Sequence, residues 1–175
     1  LPNELIGTAP KANYWLLRTE DASSENLIEE YNWLFGAEFS DSVGVDIINS
    51  SLGYTTFDVT TQNHTYADMN GKTTPISRAA NIASRKGMIV CNSAGNSGNN
   101  NWYYISAPAD ADSILSVGAV YADETPANFS SYGPTSDGRV KPTISAQGGS
   151  TVIYTVSNQV GLSNGTSFSS PIIAG

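Results

Sequence analysis

The sequence has 175 residues, of which 39% are hydrophobic, enough to bury the core of one globular domain. Its formal net charge of −8 would repel a phosphate backbone, so a nucleic-acid partner is not expected. No apolar run reaches the ~18 residues of a membrane-spanning helix. The single cysteine, Cys91, cannot form an internal disulfide and is expected to be buried and inert.

The first half of the chain predicts strands and a helix in alternation. Residues 12–18 form an apolar run typical of a buried strand, and residues 45–50 predict a second strand. Between them lies a predicted helix whose aromatic residues are expected in the core; its apolar positions are Leu27, Ile28, Tyr31, Leu34, Phe35 and Phe39. The segment 54–74 is too long for an ordinary strand-to-helix connection, and we expect it to wall a binding groove.

The second half continues this alternation. Residues 74–87 predict a helix that begins at a Thr-Pro pair and ends at a glycine. Residues 88–92, 114–120 and 151–156 predict further strands, separated by loops rich in Gly, Asn and Pro. The whole pattern predicts an α/β fold in which helices wrap a parallel sheet.

Residues 164–171 read Asn-Gly-Thr-Ser-Phe-Ser-Ser-Pro and lead into an apolar run. A serine becomes a nucleophile where its hydroxyl is exposed and oriented, and a glycine-containing turn at a helix N-terminus provides both conditions. Ser167 is therefore a candidate nucleophile, with Pro171 expected in the first turn of the helix. The alternative is that Thr166 or Ser167 only caps this helix.

Residues 91–98 read Cys-Asn-Ser-Ala-Gly-Asn-Ser-Gly and follow a predicted strand. Small residues let the backbone approach a ligand closely, and the Asn96 amide is a candidate donor to an oxyanion. An ordinary loop is the alternative, because Asn and Gly dominate turns for conformational reasons.

Another predicted strand ends in Ser51, Leu52 and Gly53. Ligands of parallel sheets bind at the carboxyl ends of the strands, so these residues and Ala94 and Gly95 are expected to line one crevice. There an extended peptide would pair its backbone with the edge formed by residues 51–53. The alternative is that these residues merely end a strand.

In chain order, these three segments resemble the substrate strand, the oxyanion loop and the nucleophile turn of the subtilisin-like serine proteases. Further matches in the same order are residues 7–12, 114–119, 129–134 and 141–148. The chain departs at Gln147, where the family commonly has Pro, and at Ile172, where it commonly has His. Neither position carries the chemistry.

The resemblance implies a three-layer α/β sandwich with a mostly parallel central sheet. It also implies a serine endopeptidase that hydrolyses polypeptide substrates through an acyl-enzyme on Ser167, with Asn96 in the oxyanion hole. A secreted or cell-envelope location is implied by the resemblance only. No cofactor is expected, and no metal site is predicted because Asp58, Asp68 and Asn70 lack the spacing of an EF-hand.

In that family the serine works with a His base oriented by an Asp, and both precede the segments matched here. The only histidine, His64, lies in a polar loop without the Gly-Thr that follows the family's catalytic His. We expect it to be solvated and do not assign it as the base. Residues 1–175 are therefore predicted to be a partial peptidase domain, truncated at both ends, whose Asp and His lie upstream.

Two other classes of protein stay open. A catalytically dead peptide-binding module would keep the same fold and groove, while its upstream sequence would lack the His and Asp. A structural α/β domain would use Ser167 and Asn96 only in turns and caps. An esterase of the α/β-hydrolase type is not expected, because no G-x-S-x-G elbow occurs in the sequence.

Overall fold

A computed structural model describes residues 5–175 of the chain. The helices and strands of these residues are, in order, α1 (Ile28–Ser42), β1 (Ile47–Ser50), α2 (Pro75–Arg85), β2 (Ile89–Ser93), β3 (Leu115–Val120), β4 (Ile144–Gln147), β5 (Thr151–Tyr154), β6 (Val160–Ser163) and α3 (Thr166–Ala174). None of the helices described is long and apolar enough to cross a bilayer.

The central sheet has four parallel strands in the order β1-β2-β3-β4. The predicted strands at 45–50, 88–92 and 114–120 are confirmed as β1, β2 and β3. The predicted strand at 151–156 exists as β5, but it pairs antiparallel with β6 in a separate hairpin. Strands β4 and β6 were not predicted from the sequence.

Helices cover the two faces of this sheet. Along β1, Ile48 packs against the main core, which contains residues of α1 and α2. Its neighbour Asn49 accepts a hydrogen bond from Ser170 of α3 at 2.9 Å. Because successive side chains of a strand point to opposite faces, α3 lies across the sheet from α1 and α2. The predicted three-layer α/β sandwich is therefore confirmed.

Helix α2 follows its sequence pattern closely. Thr74 precedes the helix, and its Oγ1 accepts a hydrogen bond from the N–H of Ser77. Pro75 occupies the first helical position, where a missing N–H costs nothing. Gly87, in the left-handed region at φ +106°, follows the last turn.

Helix α1 exists as predicted, but of its predicted apolar positions only Leu27 and Leu34 pack against the core. Tyr31, Phe35 and Phe39 are exposed, and Trp33 and Ala37 are buried instead. Three polar residues of the helix are buried as well, namely Glu29, Glu30 and Ser40. Helical spacing alone could not identify the buried face, since apolar side chains occur on both sides of the helix.

The predicted buried strand at 12–18 is wrong. The segment contains no strand, and Leu16 is 91% exposed. A cavity of about 1350 Å³ separates it from β1, and both segments line that cavity. Strand pairing requires a spacing of about 4.8 Å, so the apolar run has no partner strand within reach.

The long segment 54–74 is structured rather than open. It contains two short 3₁₀ turns, Thr60–Gln62 and Tyr66–Asp68. Tyr54, Phe57 and Met69 from this segment are buried in the main core. Its expected role as the wall of a groove stays a prediction.

Lys141 is a buried cation next to the start of β3. Its Nζ donates to the carbonyl of Ile114 at 3.2 Å and to Thr143 Oγ1 at 3.3 Å. Burial, followed by the charge of Arg139, lowers the pKa of Lys141 from 10.5 to about 8. Between about pH 8 and 10.5 the neutral amine is therefore the main form in the folded protein, whereas the unfolded chain keeps this lysine charged.

We expect Lys141 to contribute a rise in the free energy of unfolding with pH between about 8 and 10.5, since the unfolded chain then binds more protons at this lysine. Lys141→Met should flatten this rise, whereas Lys72→Met, at an exposed lysine, should keep it. Urea unfolding followed by tryptophan fluorescence across this pH range measures the slope. Equal slopes in wild type and Lys141→Met would contradict the assignment.

Candidate active site

Ser167 lies in the first turn of α3, directly after the turn formed by Gly165. The N–H of Gly165 donates to the carbonyl of Gly148 at 2.9 Å, which fixes the turn against the end of β4. The N-cap position is Gly165, which has no side chain to cap the helix, so the capping interpretation of Thr166 and Ser167 is wrong. The Ser167 side chain is half-buried and remains reachable from solvent.

Pro171 lies in the second turn of α3 rather than in the first turn expected from the sequence. Because proline has no N–H, it leaves the carbonyl of Ser167, four residues earlier, without its helical donor. Ser51 supplies the missing bond, since its Oγ donates to that carbonyl at 3.1 Å. In return, Ser167 Oγ lies 3.5 Å from the carbonyl oxygen of Ser51. The proline thus ties the nucleophile turn to the end of β1.

Asn96 follows β2 and reaches the same helix end. Its Oδ1 accepts two hydrogen bonds of 2.9 Å each, one from the N–H and one from the Oγ1 of Thr166. These bonds fix the orientation of the amide, because a flipped amide would place its NH₂ against the N–H of Thr166. The Nδ2 of Asn96 donates to none of the residues described, and the side chain is exposed.

The backbone directly before Asn96, at Gly95, is packed closely against neighbouring residues. Gly95 has a φ of +107°, and a Cβ there would lie 2.8 Å from Ser131 Oγ. Its N–H donates to Thr166 Oγ1 at 3.3 Å. Both the backbone conformation and the available space therefore require glycine.

The other predicted wall of the crevice, residues 51–53, ends in Gly53. A Cβ at this glycine would collide with Ser106 Oγ. The same hydroxyl lies 3.2 Å from the Cβ position of Gly95. Ser106 therefore lies between the segment 51–53 and the segment 94–96, which brings both predicted crevice walls to one place. Ala94 is fully buried behind them, whereas Ser51 and Gly53 are exposed and Leu52 is half-buried.

Two strand asparagines support these loops, the buried Asn92 and the exposed Asn49, and neither was assigned a role from the sequence. Asn92 Nδ2 donates to the carbonyl of Leu52 at 3.2 Å and to that of Ser93 at 2.8 Å. Asn49 accepts from Ser170 Oγ, as described above. A polar residue at a buried strand end was the available signal, since such residues require a hydrogen-bonding partner.

His64 contributes nothing to this site. Its ring lies edge-on to Phe57, and its Nε2 lies 2.5 Å from Glu30 Oε1. Only 11% of the His64 side chain is exposed, so the expected solvated loop histidine is wrong. Its contact with a buried glutamate makes it a structural residue that links the long loop to α1.

Cys91 lies on β2 next to these loops and is fully buried, as predicted. Burial raises the pKa of its thiol, which keeps it protonated at neutral pH. A protonated, inaccessible thiol cannot act as a nucleophile. Cys91 is therefore excluded as a nucleophile, and Ser167 stays the candidate predicted from the sequence.

The fold and the site together define an α/β scaffold in which a helix-start serine lies close to an asparagine-bearing loop. The Subtilase family profile matches residues 2–175. The chain is 30% identical over 172 residues to Subtilisin DY of Bacillus licheniformis. This match covers 98% of the chain and 54% of that protein. It is also 30% identical over 195 residues to Serine protease AprX of Bacillus subtilis strain 168, with 97% and 42% covered.

Among solved structures, the self-cleaved protease domain of PatA superposes with a TM-score of 0.74 at 24% identity. This match covers 97% of the chain and 57% of that structure, and it shows the shared fold. The chain therefore belongs to the subtilase family. It spans about half the length of the curated relatives it matches.

Removing the hydroxyl of Thr166 should loosen the Asn96 loop. We expect Thr166→Val to lower the free energy of unfolding by about 2 kcal/mol, because the N–H of Gly95 then loses its buried acceptor. Chemical denaturation measures the loss, with Thr56→Val at an exposed threonine as the control. Equal stability of the two variants would show that the hydroxyl does not hold the loop.

Proposed function

We propose that this chain supplies the nucleophile and the oxyanion hole of a serine endopeptidase. The observation that carries the proposal is the pair of hydrogen bonds from Thr166 to Asn96 Oδ1. They turn the amide NH₂ of Asn96 outward, beside the helix start that bears Ser167. Membership of the subtilase family supports the same reaction class.

In the proposed reaction, Ser167 Oγ attacks the carbonyl carbon of a peptide bond and gives its proton to a histidine base. The carbonyl oxygen becomes an oxyanion held by Asn96 Nδ2 and by the N–H of Ser167, which has no helical partner at this position. Collapse of this intermediate expels the amine, which takes the proton from the histidine. Water then hydrolyses the acyl-enzyme and regenerates the serine.

The base and its orienting Asp are proposed to come from a segment upstream of Leu1. His64 is engaged by Glu30 and is not available for this role. The cavity beside β1 supports the proposal, because it lies between the free edge of β1 and the extended segment 12–18. One added strand would pair with β1 and bring a further residue to the carboxyl end of the sheet, where Ser51 and Ser167 meet.

Substrate binding is proposed to follow strand addition at residues 51–53, with Ala94 and Gly95 on the opposite side of the crevice. The exposed backbone of Ser51 and Gly53 supports this proposal. Polypeptide is therefore the proposed substrate. A secreted or cell-envelope location is proposed from the family alone.

A catalytically dead peptide-binding module is the second candidate. The observation that favours it is that no histidine or carboxylate of the described residues hydrogen-bonds to Ser167 Oγ. Such a module would bind peptides at the same edge without cleaving them. Covalent labelling of the serine distinguishes the two functions, because only an activated serine reacts rapidly.

A fluorophosphonate probe should label the longer protein, with its upstream segment, at Ser167. Ser167→Ala should abolish labelling, because the probe requires the serine oxygen. Residues 1–175 alone should react only slowly, because the proposed base is then missing. Intact-mass measurement and peptide mapping locate the adduct. No labelling of the longer protein would favour the dead module, and fast labelling of residues 1–175 would disprove the upstream base.

Asn96→Ala should lower kcat by roughly 10²- to 10³-fold, the size of the effect of losing an oxyanion-hole donor in a subtilisin. Asn99→Ala, at an exposed position of the same loop, should leave kcat unchanged. Cleavage of a chromogenic peptide by the longer protein measures both. A normal kcat in Asn96→Ala would remove this side chain from the oxyanion hole.

A further inference from the structure

The hairpin of β5 and β6 presents an apolar face to solvent. Across its two strands Val152 pairs with Leu162, and Tyr154 pairs with Val160. Because alternate residues of a strand and directly opposite residues of a pair share one face, all four side chains lie on the same side of the hairpin. Each of these four residues, which together form the hairpin face, is between 38% and 69% exposed.

The two sides of this hairpin reverse the usual pattern. Antiparallel strands commonly direct apolar side chains to the core and polar ones to water. Here the apolar side faces outward, and the residues of the inner side are half-buried, namely Thr151, Ile153, Gly161 and Ser163. A two-stranded hairpin is only marginally stable by itself and is stabilised when its apolar face packs against a further element. The hairpin face therefore has the character of a contact surface.

The charge distribution of the chain indicates what kind of surface fits there. Residues 142–175 contain no Asp, Glu, Lys, Arg or His, so the whole formal charge of −8 belongs to residues 1–141. A charged side chain of a partner would therefore be buried against the hairpin face without an opposite charge, which is costly. The complement is an uncharged, apolar surface, and a second copy of the chain carries one.

The upstream segment that we propose for the base would lie elsewhere. Its strand would pair with β1, one edge of the central sheet in the order β1-β2-β3-β4. The hairpin follows β4, which is the opposite edge. An added strand next to β1 is four strand spacings, about 19 Å, from β4. It therefore does not cover the hairpin face.

We propose that two copies of the chain pack their hairpin faces together around a two-fold axis. The large side chains, Tyr154 and Leu162, occupy one diagonal of the face, and Val152 and Val160 occupy the other. A two-fold axis in the plane between the faces, either along or across the strands, places each large side chain over a valine of the second copy. The face is therefore complementary to itself, as a symmetric dimer requires.

The contact is small, and this size sets its strength. Strands of four residues are about 13 Å long, so the hairpin face falls short of the roughly 800 Å² per partner of a standard interface. We therefore expect a reversible dimer whose population depends on the protein concentration. Because β6 ends at Ser163, just before the turn at Gly165, the dimer would restrain the strand that leads into the nucleophile turn.

Analytical ultracentrifugation of the longer protein, carrying Ser167→Ala to prevent self-cleavage, tests the dimer. The weight-average mass of this parent should rise from one chain toward two between about 1 µM and about 500 µM. Leu162→Asp should weaken association by roughly tenfold or more, because each copy then buries an unpaired charge. Val140→Asp, at an exposed valine outside the hairpin, should associate as the parent does.

Three results would overturn the proposal. The first is a parent that stays monomeric over this range. The second is a Leu162→Asp variant that dimerises as the parent does. The third is a dimer of residues 1–175 with a monomeric longer protein, which would show that the upstream segment covers the hairpin face. Thermal unfolding of each variant at low concentration should match that of the parent, which distinguishes a lost contact from a lost fold.

Mixtures of charged variants test the packing of the two faces. Leu162→Asp and Val152→Lys should each be monomeric alone, and their mixture should form a heterodimer if the two-fold axis runs along the strands. If the axis runs across the strands, Val160→Lys should form the heterodimer instead. Failure of both lysine variants to restore association would overturn the face-to-face arrangement.

Discussion

The site depends on one interaction, in which Asn96 Oδ1 accepts hydrogen bonds from both the N–H and the Oγ1 of Thr166. This single oxygen joins the loop after β2 to the first residue of α3, although 70 residues separate the two positions. It also decides which end of the amide faces outward. In the proposed reaction, this donor would be oriented before the substrate binds, so little reorganisation would be needed when a carbonyl oxygen becomes negatively charged.

Helix α3 connects this loop to the edge of the sheet. Pro171 removes a helical hydrogen bond, and the freed carbonyl of Ser167 recruits Ser51 from the end of β1. Further along, Ser170 bonds to Asn49 of the same strand. Helix α3 is therefore bonded to the end of β1 through Ser51 and Asn49 and to the loop after β2 through Asn96, which fixes the position of the serine relative to both walls of the crevice.

The sequence predicted the parts of the fold that local chemistry decides. Helix α2 could be placed because Thr74 and Pro75 act at its first turn and Gly87 acts just after its last turn, each within a few residues of the end it marks. The position of Ser167 at a helix start followed from Gly165 in the same way. The buried face of α1 could not be predicted, since it is chosen by distant partners: Glu30 contacts His64, which lies 34 residues away. The support of Asn96 by Thr166 is likewise a long-range contact that no local pattern reveals.

The run 12–18 shows the same limit, and it also affects the dynamics of the molecule. Residues 13–18 donate no backbone hydrogen bond to any described residue. Opening of this run breaks no ladder of the four-stranded sheet, so it is uncoupled from global unfolding. We therefore expect its amides to exchange with solvent deuterium as quickly as those of a frayed end, whereas the amides of β2 should exchange only when the whole domain unfolds.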